Sequence, residues 1–171
     1  MSTERFVRRT PIEAPAEEVF RWHARPGAFE RLTPPWAPVK VVDRTGGIEN
    51  GARVVLSIPV GPMRVRWVAE HRDCVEGRQF RDVQVEGPFA RWEHTHCFEP
   101  DGPDASVLED HIEYALPFGP AGALIGGPFV RGITSFASTS APRLGVTTSA
   151  RQSGILFRKS YRSPRSLGLS P

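Results

Sequence analysis

Between Val39 and Ala115 apolar and polar residues alternate with period two, in short β-rich segments separated by Gly46-Gly47, Gly61-Pro62, Glu76-Gly77, Gly87-Pro88 and Pro100-Asp101-Gly102-Pro103. Links this short join antiparallel neighbours, so the pattern predicts a meander of five or six strands, at about 39–44, 52–60, 62–74, 78–86, 90–99 and 105–116. Met63, Val65, Trp67 and Ala69 alternate with Arg64, Arg66, Val68 and Glu70, which is how a sheet with one buried face reads. That face needs a cover.

The flanks supply the other elements. A strand is expected around 5–13, which brings the sheet to six or seven strands. Ala14-Pro15-Ala16-Glu17-Glu18-Val19-Phe20 reads as a helix start, with proline in the first turn and two glutamates favoured by the N-terminal dipole. This helix runs to about Ala24. After Pro26, residues 27–32 allow one or two further turns before Thr33-Pro34-Pro35-Trp36 stops any helix. The cover for the sheet falls to a C-terminal helix after Pro117, within Gly119 to about Ala137. Gly122, Gly126, Gly127, Pro128 and Gly132 weaken its first part, leaving a better turn or two around Phe129 to Phe136. Residues 1–137 are thus read as one α+β domain and 138–171 as a basic, Ser/Arg/Gly/Pro-rich, disordered tail. No internal repeat is present.

A chain of 171 residues with 39% hydrophobic content can build one core without disulfides or a structural metal. Cys74 and Cys97 are too few for a disulfide framework and lack the spacing of a zinc or redox pair, which makes a reducing, cytoplasmic setting the default. MSTERFVRRT has no apolar core, and no later run approaches the roughly 18 apolar residues of a membrane span. The net charge of +3 does not make the chain a nucleic-acid binder. All 19 acidic residues precede position 114, and seven of the 22 basic ones lie from Arg131 onward, so residues 1–130 carry about −4. The basic character belongs to the tail.

Sequence detail narrows the fold. Arg31-Leu32-Thr33-Pro34-Pro35-Trp36, Gly51-Ala52-Arg53, Phe80-Arg81-Asp82 with Gly87-Pro88-Phe89, Trp92-Glu93-His94-Thr95-His96, and Asp110-His111-Ile112-Glu113-Tyr114 with Pro117 occur in order over about residues 4–130. Together they resemble a bacterial branch of the START-like (SRPBCC) polyketide cyclase/dehydrase superfamily. The resemblance implies a helix-grip fold, in which a curved antiparallel sheet grips a C-terminal helix over a cavity for a hydrophobic or amphipathic small molecule. Members resembling this chain include lipid carriers, hormone receptors and aromatase/cyclases, and the branch also occurs fused ahead of a nucleotide-sugar epimerase-like domain, for which this sequence has no counterpart.

The end of the chain departs from that pattern. Where a long arginine-bearing helix is expected to continue through Ile133 to Leu144, the sequence runs Thr134-Ser135-Phe136-Ala137-Ser138-Thr139-Ser140-Ala141-Pro142. Either the terminus has degenerated or the reading frame has shifted. The abrupt change, the acid-free tail and the use of 20 Arg against 2 Lys favour a frameshift in GC-rich coding.

Period-two phasing also nominates functional residues. Trp92, His94, His96 and Phe98 share one face of their strand; Leu108, Asp110, Ile112 and Tyr114 share one face of the next. The apolar members point both faces inward, so two histidines and a carboxylate can meet there, with Asp82, in phase with Phe80, joining from the preceding strand. His94, His96 and Asp110 are the candidate catalytic residues, as an acid/base pair whose carboxylate orients an imidazole. The alternative is that these polar groups satisfy one another and fix the sheet. His94-Thr95-His96 with a carboxylate also has the elements of a zinc set, but with no cysteine ligand nearby, Cys97 pointing outward in this register, and no helical His-x-x-x-His, neither a metal nor another cofactor is expected. Candidate ligand contacts are Trp36, Trp67, Asp82, Trp92 and Tyr114. Trp36 sits in a proline-bounded loop suited to gating a cavity mouth, whereas core filling competes for Trp22 and Trp67. Arg64 and Arg66 are expected to face solvent, as is Cys97.

The leading reading is a binder or carrier of a small apolar ligand such as a lipid, quinone or polyketide-like molecule, as a monomer or weak dimer. Its rival is a cyclase/dehydratase-like enzyme using a His/Asp pair, which requires His94 or His96 within hydrogen-bond reach of Asp110 or Asp82. A third is a damaged product whose lost helix leaves the sheet face open to self-association.

Overall fold

A computed structural model describes residues 3–33, 39–60 and 62–117 of the chain. The elements follow the sequence pattern closely: β1 (Glu4–Ile12), α1 (Ala16–His23), α2 (Ala28–Leu32), β2 (Lys40–Thr45), β3 (Arg53–Val60), β4 (Met63–Val75), β5 (Gln79–Glu86), β6 (Arg91–Pro100) and β7 (Ser106–Ala115). The strands form one seven-stranded antiparallel sheet in the order β1-β7-β6-β5-β4-β3-β2. Strands β2 to β7 are the expected meander, and β1 closes against β7. The sheet with its two short helices is the helix-grip arrangement. The C-terminal helix, the loop residue Trp36 and the tail lie outside the described residues, as does the domain limit at 137.

Helix α1 begins where Pro15 fixes the backbone and its carbonyl accepts from the amides of Glu18 and Val19. Glu17 and Glu18 occupy its first turn. Val19, Phe20 and His23, at spacings of one, three and four, form the buried face. That face seats on β6 and β7, with Phe20 edge-on to Phe98 at 5.5 Å. Ile12, Val19, Phe20, Phe80, Phe98 and Leu108 make one core cluster, and Leu56, Ile58, Trp67, Phe89, Trp92 and Ile112 a second farther along the same sheet face. Burying each large apolar side chain here supplies about 1.5–3 kcal/mol.

The opposite face alternates charges. Arg9 pairs with Glu99 and Glu109 at 2.8 Å each, and Glu70 receives Arg53 at 2.6 Å and Arg72 at 2.8 Å. Arg64 bonds Ser57 and Arg66 pairs with Glu86, so both arginines face solvent as expected. Period two misses two details. Met63 is exposed, because at the turn end of β4 it extends past the core; and Val68 is buried although it alternates with Trp67 and Ala69, standing opposite Val55 of β3, which is buried with it.

Candidate functional site

Cross-strand register assembles the site from four strands. His71 of β4 stands opposite Asp82 of β5, which stands opposite His94 of β6, which stands opposite Ile112 of β7. One row along, Phe80, His96 and Asp110 are opposite one another, and Arg8 of β1 is opposite Asp110. Directly opposed residues share a face, so the polar groups lie on the side that carries α1, between the two apolar clusters.

The side chains form a chain of alternating imidazoles and carboxylates. His94 Nε2 lies 3.1 Å from Asp110 Oδ1, and His96 Nδ1 lies 2.8 Å from the same oxygen. His96 Nε2 is 3.5 Å from Asp82 Oδ2, while Asp82 Oδ1 is 2.5 Å from His71 Nδ1. The two β6 imidazoles have ring centres 3.9 Å apart, and His96 stacks on Phe80 at 4.5 Å. Asp110 is 4% exposed, one of few buried ionisable groups among the described residues, and a carboxylate so buried needs the two imidazoles that converge on it.

Charge in this chain is divided unevenly. Burial opposes ionisation of Asp82 and Asp110, yet their histidine partners override it and hold both carboxyls well below the usual carboxylate range. Burial also opposes a charged His96, but Asp110 and Asp82 outweigh it and raise the imidazole to about 9. Burial and the adjacent His96 charge lower His94, with Asp110 pulling partly the other way. Near neutral pH the site therefore places a cationic and a neutral imidazole side by side on one carboxylate. His23 Nδ1 donates to the Val19 carbonyl at 2.8 Å, and its ring centre is 6.0 Å from that of His96. Burial, aided by the His96 charge, pushes His23 down to about 4.

All four polar candidates from the sequence, Asp82, His94, His96 and Asp110, come together. Trp67, Trp92 and Tyr114 gather separately with Phe89: Trp67 meets Trp92 edge-on at 5.3 Å, Phe89 lies 4.8 Å from Trp92, and Tyr114 lies 6.2 Å from Trp92. Trp67 Nε1 is buried there without a hydrogen-bond partner among the described residues. Trp22 is half-buried beneath the Arg31 guanidinium, 5.4 Å from the ring centre, rather than filling the core. Cys74 and Cys97 are free; burial raises both thiols, so neither is an activated nucleophile. His23 and His71 are the functional neighbours absent from the sequence reading. His71 continues the Trp67, Ala69 phase, and His23 falls four residues after Val19 on the buried helical face.

Residues 12–136 match the family described as polyketide cyclase / dehydrase and lipid transport. Among curated proteins none matches the chain. In solved structures the chain is similar to norcoclaurine synthase from Thalictrum flavum in complex with dopamine and hydroxybenzaldehyde, at 16% identity and TM-score 0.63 over 81% of this chain and 84% of that one. It is similar to an aromatase/cyclase from Streptomyces sp. R1128, at 14% identity and TM-score 0.58 over 80% and 86%. A START superfamily protein from Mycobacterium smegmatis aligns at 14% identity and TM-score 0.56 over 78% and 94%. At these identities the likeness is one of fold.

Proposed function

This chain belongs to the polyketide cyclase / dehydrase and lipid transport family, and on that premise we propose that it binds a small hydrophobic or amphipathic molecule against the inner face of the sheet. The observation that carries the reading is the placement of the His71-Asp82-His96-Asp110-His94 chain between an aromatic cluster and an apolar one. A ligand with an apolar body and a phenol, carbonyl or carboxylic end suits such a surface, the apolar part meeting Trp67, Trp92 and Tyr114 and the polar end meeting imidazole. Among the described residues no helix is long and apolar enough to cross a membrane. Trp36 and a helix after Pro117 complete the reading as gate and cover.

A second reading is favoured by one feature, the neighbouring cationic His96 and neutral His94 on Asp110. A cyclase or dehydratase takes a proton from carbon and gives one to oxygen, and this pair offers a base and an acid 3.9 Å apart, ring centre to ring centre.

Native mass spectrometry of protein purified from its host tests the first reading. A co-purifying lipid, quinone or polyketide-like molecule is expected. Protein that emerges empty, and that then takes up none of a panel of fatty acids, quinones and polycyclic phenols, overturns it. With a ligand identified, His94→Ala and Asp110→Asn decide between binding and turnover: a carrier retains its ligand unchanged in structure, whereas an enzyme loses product formation in both variants.

A further inference from the structure

We propose that Asp82, His94 and His96 form a binding site for one divalent transition-metal ion. Each of the three offers a ligating atom, and the three atoms lie within 4.8 Å of one another. Metal bonds of about 2.0–2.2 Å put neighbouring tetrahedral ligands roughly 3.4 Å apart, so small side-chain rotations close this set around one ion. Strands rather than loops hold the positions, since Asp82 and His94 are cross-strand partners and His96 follows two residues later on the same strand.

The surroundings supply what a metal site needs beyond its ligands. Asp110 Oδ1 lies 3.1 Å from His94 Nε2, which leaves Nδ1 of that ring for a metal. Asp110 also touches His96 Nδ1, and His96 Nε2, on the side of Asp82 Oδ2, would take the metal in place of its proton. His71 holds the other oxygen of Asp82. A carboxylate behind two imidazoles and an imidazole behind the carboxylate is the outer arrangement that orients metal ligands.

Two nitrogens and one carboxylate, with no thiolate, suit Zn²⁺ or Fe²⁺ rather than Mg²⁺ or Cu⁺. Three protein ligands leave a coordination position for an oxygen of a bound molecule. The proposal goes beyond ligand binding and does not depend on it. It is also exclusive of the acid/base reading, because a metal uses the imidazole lone pairs that proton transfer requires.

The test uses the full chain, stripped with a chelator and titrated with zinc chloride in a calorimeter. One zinc per chain is expected, and Asp82→Asn and His94→Gln are each expected to weaken it at least ~100-fold, with circular dichroism checking their fold. His111→Ala, the one histidine on the outer face, is expected to change it less than about two-fold. Histidine ring resonances of the wild-type chain read the site without any substitution: zinc is expected to shift those of His94 and His96 and leave His111 in place. No stoichiometric zinc, unaltered affinity in the two folded ligand variants, or zinc-dependent shifts at His111 alone overturns the site. Ligand recovery by mass spectrometry is unaffected by that failure, so the two proposals fall separately.

Discussion

His94 and His96, two positions apart on β6, lie with ring centres 3.9 Å apart and converge on a single oxygen, Asp110 Oδ1, at 3.1 and 2.8 Å. Two like groups are brought together only because an anion sits between them. Asp110→Asn keeps the shape and removes the charge, leaving a buried imidazolium short of a partner. Breaking a buried pair from one side costs about 3–5 kcal/mol. Denaturant unfolding of the metal-free chain is expected to show a loss of that order, and proton titration is expected to move His96 down from about 9. A His96 that still titrates near its wild-type position in Asp110→Asn shows that Asp110 does not set its charge.

The same charges give stability two pH limits. His96 is raised from 6.5 to about 9 in the folded chain, so its contribution is fully present below about 6.5 and is lost as pH rises through about 9. That contribution is on the order of 3 kcal/mol. His23, lowered to about 4, works in the opposite sense: its contribution is present above about 6.5 and lost as pH falls through about 4. Asp82 and Asp110, held low, add to the acid-side loss as they protonate. Unfolding free energy of metal-free protein measured from pH 4 to 10 is expected to fall at both ends. His96→Gln is expected to flatten the alkaline limb and, because His96 also helps to hold His23, Asp82 and Asp110 low, to make the acid one shallower. An alkaline limb unchanged in that variant assigns it to another group.

Much of this was legible in the sequence because a strand writes its burial in alternate residues. Phasing alone places Trp92, His94, His96 and Phe98 on one face and Asp110 on the facing one, and antiparallel register then makes their meeting unavoidable. His71 was legible by the same rule, two residues beyond Ala69, but the phase of β4 is lost just after it, where the β4–β5 register shifts between Arg72 and Val75, and no local residue type announces that shift. His23 is a different case: its helical face is readable, but the distance from that face to His96 depends on how α1 seats on β6, which is a tertiary fact. Trp36 and the expected C-terminal cover lie outside the described residues, so their roles rest on the sequence pattern.

Gly87 tests whether the aromatic cluster is held from the β5–β6 turn. Its φ of 159° is open to glycine, and a Cβ added there would lie 2.8 Å from Trp67 Cδ1. The Gln84 side chain clamps the same turn, donating to the Phe89 carbonyl at 2.8 Å and accepting from the Phe89 amide at 3.3 Å. Gly87→Ala must therefore displace Trp67 or open the clamp, at a cost of about 1–3 kcal/mol for overpacking. Tryptophan emission is expected to shift to the red as Trp67 moves toward water. Wild-type stability and unchanged emission in Gly87→Ala place the turn farther from Trp67 than this packing requires.

The last prediction concerns what keeps His23 beside the polar chain. Helix α1 has only eight residues, too few to persist alone, so its position depends on the side chains it buries. Phe20 is the largest apolar side chain of that face, edge-on to Phe98 at 5.5 Å and to Phe80 at 6.4 Å. Phe20→Ala leaves a cavity between helix and sheet and is expected to cost about 3–5 kcal/mol, whereas Phe20→Leu, which refills most of it, is expected to cost less. Because His23 rides on the same helix, amide exchange along α1 is expected to accelerate in Phe20→Ala, and the His23 titration to rise from about 4 toward the ordinary histidine value as water reaches the ring. A Phe20→Ala chain that loses under about 1 kcal/mol and keeps His23 at its low value means that Val19 and His23 anchor the helix without it.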